Sequence, residues 1–170
     1  MQSSSLIFCT GAPLNQSDDK EFANEARNFK GKKVVCGGTT AKIIAREMCR
    51  SVSVIPNPRG VLLPPESRIS GIDIVSEGVI TLACVRNLLQ DIVCDNSCNI
   101  RNMQRNSVDS RILQMLLSHR TTYMVVGTRL NEAHFDPSLP ITLERRVDVM
   151  TEIADILRNE FRKRIEVRYY

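Results

Sequence analysis

The stretch Gly31-Lys32-Lys33-Val34-Val35-Cys36-Gly37-Gly38-Thr39-Thr40-Ala41-Lys42-Ile43-Ile44-Ala45-Arg46-Glu47-Met48 decides how the chain is read. Lys33–Cys36 is an apolar run of strand length, stopped by Gly37-Gly38. A short apolar run between turn signals reads as a buried strand. Beyond the glycines, Ala41, Ile43, Ile44 and Met48 recur at helical spacing, with Thr39 or Thr40 as the expected cap. Strand, tight turn and helix in immediate succession are the unit from which parallel sheets are built.

The same alternation continues on both sides. Upstream, Leu6–Cys9 reads as a strand ending in the turn Thr10-Gly11-Ala12-Pro13. A helix follows, capped by Ser17 or Asp18, with Phe22, Ala26 and Phe29 on its apolar face and Gly31 as its C-cap. Downstream, Val52–Ile55 and Ile72–Val75 read as extended pieces flanking a Pro-, Gly- and Asn-rich loop, Pro56–Pro65. Ser76-Glu77 opens a helix through Val79, Ile80, Leu82, Ala83, Val85 and Leu88. After a polar stretch at Cys94–Asn106 come a helix at Val108–Ser118 and a strand at Tyr123–Val126. A loop over Asn131–Pro140, a helix over Leu143–Phe161 and an alternating strand at Ile165–Tyr169 complete the pattern. The expected fold is a single α/β domain over residues 1–170, a three-layer sandwich with a mainly parallel, Rossmann-like sheet of about five strands.

Composition narrows the function classes. The chain has 170 residues, 42% hydrophobic and 25% charged, which suffices for one self-supporting core. No apolar run reaches the roughly 20 residues needed to span a bilayer, and Met1–Thr10 lacks the basic start of an export signal. The expectation is a cytoplasmic protein with no membrane partner. Net charge is only +4, aromatic residues are 5% and Trp is absent, so no nucleic acid is expected as a partner. The six cysteines are expected as free thiols, and Cys94-x3-Cys98 lacks zinc-ligand spacing to His119 or His134, so neither a metal nor a cofactor is expected.

In open α/β sheets ligands bind beyond the carboxyl ends of the strands. The candidates there are Thr10 and Gly11, then Gly37, Gly38, Thr39 and Thr40, then Asp73 and Glu77, and finally Gly127, Thr128 and Asn131. Gly37–Thr40 is the most informative, because free N–H groups at a helix start favour an anion. The alternative is a tight turn with a Thr cap. The segment is neither a P-loop, lacking the lysine, nor a dinucleotide fingerprint, lacking GxGxxG. Asp73 and Glu77 are expected to face the same cleft, binding a hydroxyl-bearing ligand or acting as acid and base.

The glycine-rich segment with Ala45-Arg46-Glu47, the turn Thr10-Gly11-Ala12-Pro13, Pro64-Pro65-Glu66-Ser67-Arg68, the block Gly71–Leu82, and Val126-Gly127-Thr128 with Asn131, His134 and Asp136-Pro137 occur in a fixed order. Together they resemble the C-terminal extension of certain bacterial SpoIIE-type (PPM-like) serine/threonine protein phosphatases. The resemblance covers the extension and not the phosphatase domain. The resemblance implies a phosphatase domain or signalling protein as partner, and the strand-end site points to a non-catalytic regulatory or ligand-sensing domain that takes a small anionic ligand, such as a phosphorylated one. A homodimer is an admissible assembly. A stand-alone enzyme acting on a phosphorylated small molecule through Asp73 and Glu77 is the competing reading.

Two-metal phosphatases of that class hold their ions through several aspartates, including Asp-Gly turns, and this chain has no Asp-Gly dipeptide. The chain alone is therefore expected to hydrolyse neither phosphoserine peptides nor p-nitrophenyl phosphate with Mn²⁺ or Mg²⁺. Metal-dependent turnover lost on Asp73→Ala would contradict this.

Overall fold

The computed structural model describes residues 5–56, 65–95, 106–130 and 145–170. Their strands are β1 (Ser5–Thr10), β2 (Lys32–Cys36), β3 (Ser53–Ile55), β4 (Glu66–Arg68), β5 (Ile74–Ser76), β6 (Thr121–Val126) and β7 (Arg164–Tyr169). The helices are α1 (Asp19–Asn28), α2 (Gly38–Glu47), α3 (Gly78–Val93), α4 (Val108–Ser118) and α5 (Arg146–Asn159). All strands join one sheet in the order β3-β4-β5-β2-β1-β6-β7. From β5 to β7 every pairing is parallel, while β4 runs antiparallel to both β3 and β5.

Side-chain alternation sorts the sheet residues onto two apolar layers. Leu6, Phe8, Val34, Cys36, Ile74, Met124 and Val126 face one side and pack with Leu82, Leu89, Ile112, Leu116, Val149 and Ile153 of α3, α4 and α5. Ile7, Cys9, Val35, Val75 and Val125 face the other, against Phe22, Ala26, Ile43 and Ile44 of α1 and α2. β1 is thus buried on both faces, which is why its sequence is a continuous apolar run rather than an alternating one. β7 alternates because Ile165 and Val167 pack into the apolar layer, while Arg164, Glu166 and Arg168 are exposed.

The α/β sandwich with a mostly parallel sheet agrees with the sequence reading, and the five parallel strands are the expected core of it. The sheet is wider than expected, because Glu66-Ser67-Arg68 adds a polar strand beside β5 and Ser53–Ile55 joins it as an antiparallel edge. Two capping expectations are corrected. The N-cap of α2 is Gly37, at φ +127°, and Thr39 and Thr40 lie inside the first turn. Gly31 does not cap α1, whose C-cap is the extended Phe29; a Cβ on Gly31 would meet the Ser5 carbonyl at 2.5 Å, so close backbone approach explains it.

The tightest backbone contact joins the ends of β1 and β6. Gly127 N–H donates to the Thr10 carbonyl at 2.8 Å, and Arg129 N–H to the Ala12 carbonyl at 3.1 Å, so the pair continues past the strand ends. A Cβ on Gly127 would stand 2.2 Å from the Ala12 carbonyl carbon and oxygen, and one on Gly11 would stand 2.3 Å from the Gly127 oxygen. Backbone cannot swing aside as a side-chain tip can. Gly127→Ala is therefore expected to cost about 3 kcal/mol in denaturant unfolding, at the upper end of overpacking effects. Gly78→Ala, with nothing within 4 Å of the new methyl, is the contrast: it should be neutral or stabilising by up to about 1 kcal/mol. Equal losses in both variants would contradict this.

Candidate functional site

The strand order reverses between β1 and β6, since β2 and β5 continue to one side and β7 to the other. The crevice at such a reversal, beyond the carboxyl ends, is where open α/β sheets place ligands. Gly11 and Gly127 form its floor. Gly11, at φ +84°, turns the chain away from β1 and exposes backbone in place of a side chain. Thr40 ties α2 to this floor, its Oγ1 donating to the Gly11 carbonyl at 3.1 Å. Thr10 Oγ1 donates to the Cys36 carbonyl at 2.6 Å and locks β1 to β2 at the same level.

Around the floor stand two opposite charges. Arg146, the first residue of α5, brings its Nη1 to 3.1 Å from where a Gly11 Cβ would be. Its Nε is buried and has no hydrogen-bond acceptor among the described residues. Burial pushes the guanidinium pKa down, the direction expected for a cation stripped of water. The position also runs against the helix dipole, which disfavours cations at an N-terminus. The guanidinium is thus held at a double cost, from burial and from the helix dipole.

Glu77 is the second charge. It is the N-cap of α3 but its side chain makes no capping bond to that helix. Instead the carboxylate reaches across to α2, its oxygens 3.0 and 3.1 Å from where a Gly38 Cβ would be. It thereby lies over the first turn of α2, where the N–H groups of Gly38, Thr39 and Thr40 precede the first ladder bond, Ala41 N–H to the Gly37 carbonyl at 2.9 Å. Gly37 N–H itself is used, donating to the Ser76 carbonyl at 2.7 Å. An internal carboxylate thus stands beside the turn to which the sequence reading assigned a bound anion, while Arg146 brings a cation over the glycine floor.

The remaining sequence candidates divide. Thr10, Gly11, Gly37, Gly38, Thr39, Thr40, Glu77 and Gly127 all lie along the carboxyl edge. Thr128 lies there too, but its N–H and Oγ1 are spent on the Tyr170 carbonyl, at 2.9 and 2.8 Å. Asn131, like His134 and Cys98, lies outside the described residues. Asp73 is a correction. It precedes β5 while Glu77 follows it, so the strand holds the two carboxylates at opposite ends, about 10 Å or more apart at some 3.3 Å per residue. Asp73 accepts from Lys32 Nζ at 2.7 Å and Lys33 N–H at 2.9 Å, at the amino edge of the sheet. The two cannot work as one acid–base pair.

Arg146 was not among the sequence candidates. Its signal was present: adjacent arginines, Arg145 and Arg146, in the first turn of the last helix, where the dipole repels them. Among the described residues no group of three or more His, Cys, Asp or Glu is arranged to hold a metal ion. None of the described helices is long and apolar enough to cross a membrane. A separate open cleft of about 450 Å³ lies between α1 and strands β1, β6 and β7, with Ile7, Phe29 and Tyr123 among its lining residues. Within it Arg168 donates to Glu25, which also accepts from the Tyr170 hydroxyl. No family model matches the chain, and no curated protein or solved structure is significantly similar to it.

Cys36 lines the underside of the site, its Sγ accepting from Ser76 Oγ at 3.2 Å and donating to the Gly78 carbonyl at 3.4 Å. Burial pushes its thiol pKa from 9.0 up to about 12, against the opposing Ser76 hydrogen bond. Cys9 is pushed up to about 12 as well, again chiefly by burial. The unfolded thiols ionise first as pH rises, so these groups contribute their full stability below about pH 9 and lose it progressively towards pH 12. Unfolding free energy of the Cys36→Ala variant should therefore fall less steeply than wild type between pH 9 and pH 12. Parallel slopes would contradict a folded-state thiol held neutral.

Proposed function

We propose that this chain is a sensing module that takes a small anionic ligand at the carboxyl edge of its sheet. Arg146 carries the reading: a guanidinium whose Nε is buried without an acceptor, standing over the glycine floor at the strand-order reversal. A bound phosphate or carboxylate would satisfy it with a charge-assisted bond, one of the stronger hydrogen bonds a protein makes. Glu77 beside the first turn of α2 repels a bare anion and welcomes a donor. The ligand class that fits both is an anionic group joined to hydroxyls or amines, such as a sugar phosphate or a nucleotide. Backbone and hydroxyl groups dominate the site, and no nucleophile–base pair is assembled among its described residues. That favours recognition over catalysis. The resemblance to the extension of SpoIIE-type phosphatases supports a regulatory use, with occupancy communicated to a phosphatase domain or signalling protein.

Arg146 is half-buried with its Nε unpartnered, and replacing a poorly compensated charge of this kind by an apolar chain is often neutral or stabilising. Arg146→Met is thus expected to leave the melting temperature of the free protein unchanged or raised. In wild type, glucose 6-phosphate or AMP at about 100 times Kd should add about 2.7 kcal/mol of stability, and in the variant that gain should vanish. A scan in which none of inorganic phosphate, glucose 6-phosphate and AMP shifts the wild-type melting curve would contradict this reading. So would an Arg146→Met variant that is strongly destabilised yet binds normally.

A further inference from the structure

Strand β7 is the border of the sheet; among the described residues it pairs with β6 alone. In a parallel ladder alternate residues turn both N–H and C=O towards the same neighbour. Arg164 N–H donates to the Arg120 carbonyl and Tyr170 N–H to the Val126 carbonyl, so the even-numbered residues serve β6. Ile165, Val167 and Tyr169 therefore turn their backbone groups outward. The Ile165 carbonyl confirms the direction: it is reached from outside the sheet by the Arg158 guanidinium, at 2.9 Å from Nη2.

The solvent side of the strand carries Arg164, Glu166 and Arg168, alternating in sign; within the chain Arg164 Nη2 lies 2.6 Å from Glu166 and Arg168 pairs with Glu25 of α1, so a second copy would extend these pairs into a network. Charges on an edge strand ordinarily deter pairing with other chains. This pattern deters most partners and fits one. Two copies meeting antiparallel about Val167 would place Val167 opposite its equivalent and Ile165 opposite Tyr169. Every outward N–H and C=O of the three residues would then have a partner, with Arg158 sharing the Ile165 carbonyl. The same register sets Glu166 opposite Arg168 twice, in the non-hydrogen-bonded pairs where side chains approach most closely. Sliding the two-fold to Glu166 sets glutamate against glutamate and Arg164 against Arg168. Sliding it to Ile165 also sets Arg164 opposite Glu166 twice, but leaves Val167, Arg168 and Tyr169 opposite residues that precede the strand, which shortens the ladder.

We propose that two copies of this chain associate through β7, paired antiparallel about Val167, to form one sheet continuous across the dimer. The contact is a single strand on each side, at the small end of specific interfaces, so the affinity expected is micromolar. This assembly is independent of the ligand site, which lies at the carboxyl edge of β1 and β6.

Sedimentation equilibrium of the whole chain tests it, with reductant present because Cys49 and Cys94 are exposed. At about 100 μM, enough to populate a micromolar dimer, wild type should give twice the 19.2 kDa of one chain. Glu166→Arg and Arg168→Glu should each weaken self-association by roughly tenfold or more, since each turns the cross-strand pairs into like charges. Mixed one to one, the two variants should dimerise again, because the new arginine on one chain faces the new glutamate on the other. Val167→Pro removes an outward N–H that β6 does not use, and should yield a folded monomer by circular dichroism. If that variant fails to fold, the charge-exchange mixture still decides. A wild-type monomer at this concentration overturns the proposal, as does a dimer indifferent to Glu166→Arg or a mixture that stays monomeric.

Discussion

The contact on which the rest depends is backbone against backbone, Gly11 against Gly127. Their approach lets β6 run beside β1 beyond the last residue of either strand, with Gly127 N–H on the Thr10 carbonyl at 2.8 Å and Arg129 N–H on the Ala12 carbonyl at 3.1 Å. Any side chain at Gly127 would intrude on the Ala12 peptide at 2.2 Å, so a small change there spreads into the two central strands. Those strands carry Leu6, Phe8, Met124 and Val126 into one apolar layer and Ile7, Cys9 and Val125 into the other. The contact also leaves bare backbone at the reversal of strand order, the place where side chains from the neighbouring helices can converge.

What converges is electrostatically uneven. At the first turn of α2 the Glu77 carboxylate stands 3.0 Å from where a Gly38 Cβ would be, a negative charge of the kind favoured at a helix start. Arg146 has no such compensation on its Nε, and burial lowers its pKa. A ligand that pairs with Arg146 and donates to Glu77 uses both.

Much of this was legible in the residues. Helix α4 falls at Val108–Ser118 as its Ile112, Leu113, Leu116 stripe requires, and β1, β2 and β6 follow their apolar runs. Glu66-Ser67-Arg68 was not legible, because three polar residues have no periodicity and their pairing with β3 and β5 is wholly tertiary. The cap of α2 was misread for a related reason: threonine propensity points to Thr39 or Thr40, but the φ of +127° that turns the chain out of β2 admits only glycine readily, which fixes Gly37 as the cap. Asp73 and Glu77 looked like neighbours on the assumption of one ridge. Three strand residues between them send them to opposite edges. Arg146 was passed over because its approach to the glycine floor is wholly tertiary: nothing in the residues of α5 shows that its first turn meets Gly11.

The most direct test of a ligand site at this crevice is a backbone and arginine-side-chain amide NMR titration of the whole chain with glucose 6-phosphate. The geometry predicts saturable shifts confined to Gly11, Gly38, Thr39, Thr40, Gly127 and the Nε–H of Arg146, the last moving downfield as it acquires an acceptor. Shifts confined to the cleft lined by Phe29 and Tyr123 between α1 and β6, or an Arg146 Nε–H that does not move while others saturate, would contradict it.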